Sequence, residues 1–221
     1  IAIDREEVAK FVYAGRAKPA AIGAQASNIP EWNSSWTPPP YDPERAKQLL
    51  IEAGYPGGEG LSFKIQAFVR TPGQELPEVA QAAMTYWAQI GVDVTLVPTT
   101  WKVVKKLIGN RTLNDAWMYR QHSVGSAPDL QLGWTTGSGI RTFREDENDG
   151  HTSLVDDLKE TSDPGKRTQL LGDLLGDYYE NYYCIPVCEV PLILGVTPNI
   201  GLPFLGNSSS VSGLEGATLA K

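Results

Sequence analysis

Only two histidines, His122 and His151, occur in 221 residues, so the chain holds little from which to build a proton relay or a zinc centre. A zinc-hydrolase helix needs His-Glu-x-x-His, a structural zinc needs paired Cys-x-x-Cys, and a serine hydrolase needs a Gly-x-Ser-x-Gly elbow; none is present. Gly57-Gly58-Glu59-Gly60 precedes an alternating strand pattern rather than a helix, so its glycines read as turn residues and not as a phosphate cradle. The paired or clustered carboxylates, Asp156-Asp157 and Glu145-Asp146-Glu147, lie in polar stretches and read as solvated surface. Residues 145–149 miss the EF-hand calcium spacing. No catalytic group, metal or cofactor is assigned, and the chain is read as a non-enzyme.

Residues suited to holding a ligand recur at one kind of position. Arg70 follows a first strand pattern and Trp101 a second, while Tyr119, Arg120, Gln121, His122 and Ser123 follow a third. In open α/β sheets ligands lie beyond the carboxyl ends of strands. Aromatic faces with a few placed hydrogen-bonding groups suit a neutral or mildly charged small molecule. Arg70, Trp101, Tyr119, Gln121, His122 and Ser123 are therefore the candidate ligand-binding residues. Each has a plainer reading: Arg70 as a surface charge flanking a helix, Trp101 as packing under its own helix, His122 as a loop histidine.

The elements that would position them follow from periodicity. Asp4-Arg5-Glu6-Glu7 has capping-box form, with Val8, Phe11 and Val12 as the buried stripe and Gly15 as the stop. An irregular arm from about 17 to 41 carries Pro19, Pro30, Pro38-Pro39-Pro40 and two tryptophans, Trp32 and Trp36, read as packing anchors. Asp42-Pro43 opens a second helix with Ala46, Leu49, Leu50 and Ala53 on one face, ended by Gly54. Phe63, Ile65, Ala67 and Val69 alternate with polar residues over Leu61–Val69, the pattern of a half-buried strand. A long helix over about 74–90 carries Val79, Ala83, Tyr86 and Ile90, then Gly91 and a second strand through Val92, Val94 and Leu96. Strand–helix–strand with so long a crossover predicts a parallel βαβ unit. Thr100 is a candidate cap for a short helix through Val103, Val104 and Leu107, and 115–121 is a third strand candidate. A polar loop spans about 122–150. Helices are expected over 153–161 and 165–183, the second burying Leu171, Leu174, Leu175, Tyr178 and Tyr182, and a strand over 184–194.

Composition bounds the class. The formal charge of −7, with 41% hydrophobic and 20% charged residues, fits a globular chain of one large domain or two small ones and argues against a nucleic-acid binder. No apolar run approaches the roughly 20 residues of a membrane span. Cys184 and Cys188 stand four residues apart in the strand-like run. That puts them about 13 Å apart, beyond the roughly 7 Å limit for a disulfide, and predicts two buried thiols. Ile1 precedes a helix start almost at once, with no Met and no signal-like segment, as expected of a piece excised from something longer.

Three blocks of the sequence are similar to one family. Ala2-Ile3-Asp4-Arg5 with Val8 and Gly15, the stretch from Tyr41-Asp42-Pro43-Glu44 through Leu49-Leu50-Ile51-Glu52-Ala53-Gly54-Tyr55, and Trp87-Ala88-Gln89-Ile90-Gly91-Val92 resemble, in order and spacing, the family-5 extracellular solute-binding proteins. This group includes the dipeptide-, oligopeptide- and nickel-binding subunits of ABC importers. The resemblance implies one lobe of a two-lobed periplasmic-binding-protein type II fold: an α/β lobe whose mixed sheet has a parallel βαβ core and flanking helices. Residues 1–194 would form the second, C-terminal ligand-binding lobe, and residues 195–221 would return to a missing N-terminal lobe.

The function it implies is capture of a small polar organic solute, peptide-like, a sugar or related, in an interlobe cleft. Delivery would be to a membrane permease, in the periplasm or outside the cell, with the full-length protein associated with the membrane. It also places Arg70 where peptide-binding members carry an Arg. The family's following Trp and its ammonium-pairing Asp fall on Gln121 and Val124, and Ala127-Pro128 stands in place of Asp-Pro. The counter-charge for a free α-ammonium is thus absent from those positions. The alternatives are a ligand-sensing or interaction domain on the same fold, and the specificity lobe of an enzyme.

Overall fold

The computed structural model describes residues 1–23, 27–71, 73–120, 149–191, 193, 197–201 and 218–219. The chain divides into two units. The first comprises Ile1–Ala21, Thr37–Arg120 and Pro186–Glu189, and the second Ile22–Trp36, Gln121–Ile185 and Val190–Lys221.

In the first unit Asp4 caps α1 (Arg5–Phe11) by accepting from the Glu7 backbone N–H at 2.9 Å. The buried face of α1 runs through Arg5, Val8 and Ala9 to half-buried Val12, which leaves Phe11, expected inside, 70% exposed. β1 (Lys18–Pro19) follows, then α2 (Pro43–Glu52), capped by the Asp42 carboxylate on the Arg45 N–H at 2.8 Å, with Pro43 in the first turn. β2 (Ser62–Ala67), α3 (Leu76–Gln89) and β3 (Asp93–Pro98) form the expected βαβ unit; the strands run parallel from Ser62 opposite Asp93 to Ala67 opposite Pro98.

α4 (Trp101–Gly109) starts after Thr100, whose side chain makes no cap hydrogen bond. Val104 and Ile108 form its buried face, and Val103 is exposed. β4 (Ala116–Trp117) pairs parallel with the other edge of β2, giving the order β3-β2-β4. β4 is shorter than the 115–121 expected, because the ladder stops where Trp117 and Tyr119 turn into an aromatic cluster.

One buried cluster gathers Ile65, Ala67, Ala80, Ile90, Val92 and Val94, and another Phe68, Leu76, Val104 and Ile108. Burying each large aliphatic side chain here contributes about 1.5–3 kcal/mol.

β5 (Cys188–Glu189) pairs antiparallel with β1. A strand over 184–194 was expected, but among the described residues of that range only these two join a ladder. Pro186 has no N–H to donate, and its carbonyl is taken by the buried Arg5 Nε at 2.8 Å. Arg5 Nη1 also reaches the Ile3 and Pro39 carbonyls, so one guanidinium joins α1, the proline-rich arm and the β5 segment. Cys184 and Cys188 are not joined in a disulfide, and each is half-buried rather than buried.

The second unit is built on α5 (Asp149–Glu160) and α6 (Pro164–Asn181). α5 begins four residues earlier than the sequence suggests and turns His151 inward. Its Nδ1 lies 2.6 Å from Asp177 Oδ2 on α6, between the edges of Tyr178 and Tyr183. Leu170, Leu171, Leu174, Leu175 and Tyr178 are buried against Ile22, Val155 and Leu158. Tyr182, expected on that face, takes a left-handed conformation (φ 50°) that ends the helix, leaving its ring exposed while Tyr183 packs in its place. Trp32 and Trp36 do anchor the arm: they meet edge to face, and Trp36 stacks on Tyr179 at 5.8 Å. β6 (Ile200–Gly201) and β7 (Thr218–Leu219) form a small antiparallel pair. No helix among the described residues is long and apolar enough to cross a membrane.

Candidate functional site

The three parallel strands of the first unit end at one edge, and the chain beyond each end carries the aromatic and cationic residues. Past β2 come Phe68, Val69 and Arg70; past β3, Thr99 donates back to the Ala67 carbonyl at 2.9 Å and delivers Trp101 as the first residue of α4. Past β4 come Met118, Tyr119 and Arg120. Phe68 is almost fully buried and forms the floor, with Trp101 at 5.6 Å and Trp117 at 6.5 Å between ring centroids. Trp101 and Trp117 stack at 6.0 Å, and Tyr119 lies 5.8 Å from the first and 5.0 Å from the second.

Arg70 lies on this aromatic platform. Its guanidinium carbon is 4.7 Å from the Trp101 ring and 5.0 Å from the Tyr119 ring. Such cation–π contacts hold the planar group without consuming its N–H donors. Arg70 Nη1 is buried and finds no hydrogen-bond partner among the described residues. A buried donor left unmade costs about 1–3 kcal/mol.

Polar contacts brace the platform. Gln66, buried on β2, donates from Nε2 to Asp115 Oδ2 at 2.7 Å, just before β4. Glu75, at the start of α3, pairs with Arg120 Nη1 at 3.1 Å and lies near the Tyr13 phenol. Burial, reinforced by the Glu75 charge, pushes the Tyr13 phenol above its ordinary range.

Of the six candidates, the structure brings Arg70, Trp101 and Tyr119 together; Gln121, His122 and Ser123 lie outside the described residues, as do Val124 and Ala127-Pro128. Sequence reasoning missed Phe68, Trp117 and Glu75. Trp117 stands two residues before Tyr119, and that strand spacing was a usable signal. The described residues contain no group of three or more His, Cys, Asp or Glu side chains able to hold a metal. The His151–Asp177 pair is enclosed in its own unit, with the His151 side chain 1% exposed, which suits a packing role.

Residues 1–141 match the family model for bacterial extracellular solute-binding proteins, family 5 Middle. Heme-binding protein A of Haemophilus influenzae is 37% identical over 105 residues, 48% of this chain and 19% of its own length. Di/tripeptide-binding protein 1 of Pseudomonas aeruginosa is 27% identical over 176 residues, 77% of this chain and 32% of its own. The chain thus spans about a fifth to a third of these curated relatives. In fold it superposes on the Helicobacter pylori ABC transporter-associated periplasmic binding protein DppA, solved with the peptide STSA. The TM-score is 0.70 at 23% identity, over 85% of this chain and 36% of that one. The described structure is an α/β arrangement with a parallel sheet and flanking helices, as in that periplasmic binding protein, and these relatives are by name binding proteins rather than enzymes. The chain belongs to the family-5 bacterial extracellular solute-binding proteins.

Proposed function

We propose that the chain supplies one wall of a cleft in which an ABC importer's binding protein captures a small polar organic solute, with Arg70 receiving an anionic group of that solute. The observation that carries this is the Arg70 guanidinium, stacked on Trp101 and Tyr119 with its buried Nη1 unpartnered among the described residues. A carboxylate would complete it with a charge-assisted, two-pronged contact. Heme and di- or tripeptides, the ligands in the relatives' names, all carry carboxylates. In this reading Trp101 and Tyr119 give the ligand an apolar face, and Gln121, His122 and Ser123 add hydrogen bonds from the chain beyond. Val124, standing where an ammonium-pairing Asp would, favours solutes without a free α-ammonium. Residues 1–194 act as the C-terminal lobe and residues 195–221 return to an N-terminal lobe. The loaded protein, in the periplasm or outside the cell and held near the membrane, hands its solute to a permease. No chemistry is done on the solute.

The test is native mass spectrometry of the protein as its host makes it, followed by calorimetric titration with N-acetyl-Ala-Ala, Ala-Ala and Ala-Ala-amide. The expected result is a discrete bound organic acid, binding of N-acetyl-Ala-Ala in preference to the amide, and about a tenfold or greater loss in Arg70→Met. Equal binding of all probes by Arg70→Met and the parent would remove Arg70 from the site.

A further inference from the structure

The geometry points to Glu75 as a positioning residue for Arg70, an inference that rests on Arg70 being the anion-receiving group. Arg70 and Glu75 stand at the two ends of one turn, the connection from β2 to α3, which bends through Gly73 at φ 119°. Tyr119 and Arg120 are consecutive in the chain beyond β4. Two adjacent rungs therefore join the same two segments: Arg70 on the Tyr119 ring at 5.0 Å, and Glu75 Oε1 to Arg120 Nη1 at 3.1 Å.

The side chain of the residue before a helix can cap that helix's free N–H groups, as Asp4 and Asp42 do in this chain. Glu75 occupies that place for α3 and makes no side-chain cap hydrogen bond; its carboxylate is turned to Arg120 instead. The pair is largely out of solvent, with side chains 17% and 21% exposed. Removing one partner leaves the other charge desolvated, unlike a surface pair. The turn's other described hydrogen bonds are long, 3.4 Å from Gln74 Nε2 to Thr71 Oγ1 and 3.3 Å from the Leu76 N–H to the Gly73 carbonyl. Loss of the Glu75 rung frees the turn, and Arg70 leaves its stack. The preorganisation that lets a single guanidinium select an anion goes with it.

The experiment compares Glu75→Gln with the charge-exchanged pair E75R/R120E, in the protein as its host makes it. Three readouts are taken: near-ultraviolet circular dichroism of the Trp101–Trp117–Tyr119 cluster, the rate at which phenylglyoxal labels Arg70, and affinity for N-acetyl-Ala-Ala. In Glu75→Gln the aromatic bands shrink, Arg70 labels several-fold faster, and affinity falls about tenfold, the worth of one charge-assisted contact. The exchanged pair restores all three, which a loss of general stability would not. Arg120→Gln breaks the same rung from its other side and shifts the same readouts, so the proposal stays testable if Glu75→Gln folds badly. Unchanged bands and labelling in Glu75→Gln overturn the positioning role whatever the affinity does. Altered bands and labelling, with an affinity that Arg70→Met also leaves untouched, uphold the positioning and overturn the anion site instead.

Discussion

A guanidinium resting on aromatic faces is held in place by dispersion and quadrupole attraction while its donors stay available, and this separates Arg70 from Arg5 in the same unit. Arg5 is buried, directs Nε and Nη1 to the backbone carbonyls of Pro186, Ile3 and Pro39, and serves the fold. Cys188 lies beside it, with its thiol on the Arg5 carbonyl at 3.7 Å. Burial, with help from Glu6 and against the pull of Arg5, raises the Cys188 thiol from 9.0 to about 11. Its folded value exceeds its unfolded one, so its contribution to stability is complete below about pH 9 and is lost as pH rises toward 11. Denaturant unfolding between about pH 8 and 11 should therefore show a steeper stability loss in the parent than in Cys188→Ser. Tyr13 and Tyr86, also raised by burial, contribute equally to both proteins. Parallel slopes would mean that the thiol titrates alike in both states. The site's legibility follows the same division. Arg70, Trp101 and Tyr119 could be read from the sequence because each follows a strand whose alternation marks its end. Glu75 could not, because its partner Arg120 is brought to it by tertiary packing across 45 residues of chain.

At the scale of elements, the βαβ unit was legible because two signals agree there: period-two alternation in β2 and β3, and a period-3.6 apolar face in α3. Val79, Ala83, Tyr86 and Ile90 are all buried as the spacing requires. What the sequence hid were short ladders fixed by partners. β5 is two residues long because β1 offers only Lys18 and Pro19 to pair with, and α5 extends upstream because His151 finds Asp177 on α6. Gly54 and Gly91 look alike as helix stops, and both adopt φ 88°. Their surroundings differ. A Cβ on Gly54 meets nothing within 4 Å, whereas one on Gly91 would sit 1.9 Å from the Gly57 carbonyl oxygen. Two turns touch there, backbone to backbone, at the start of the βαβ unit. Gly54→Ala should cost about 1–2 kcal/mol, the left-handed penalty alone. Gly91→Ala adds overpacking against atoms that cannot swing aside, for a total of about 2–5 kcal/mol. Equilibrium denaturation of the two variants checks this, and equal losses would mean that the Gly57–Gly91 contact yields at no cost.

For the whole molecule, each unit has its own apolar core, and the proposed anion-binding platform belongs to the first unit, at the carboxyl ends of its parallel strands. The chain spans 36% of the solved DppA chain on which it superposes. Small-molecule sites bury about 70–90% of their ligand, and a cleft closing from two sides divides that burial between its walls. A solute held at about 1 μM is bound by about 8.2 kcal/mol, and one wall supplying half of that leaves about 4.1 kcal/mol, or a Kd near 1 mM. Closure, which excludes water and strengthens every polar contact inside, would also be absent. The 221-residue chain alone should therefore bind N-acetyl-Ala-Ala with a Kd of about 1 mM or weaker. Chemical-shift titration would show fast exchange, with shifts concentrated at Arg70, Trp101 and Tyr119. A micromolar complex with shifts at these three residues would mean that the platform is a complete site without an opposing wall. In that case the Arg70 Nη1 donor would be met by a ligand lying flat on the rings, and the two-walled reading would fail at the scale on which it was made.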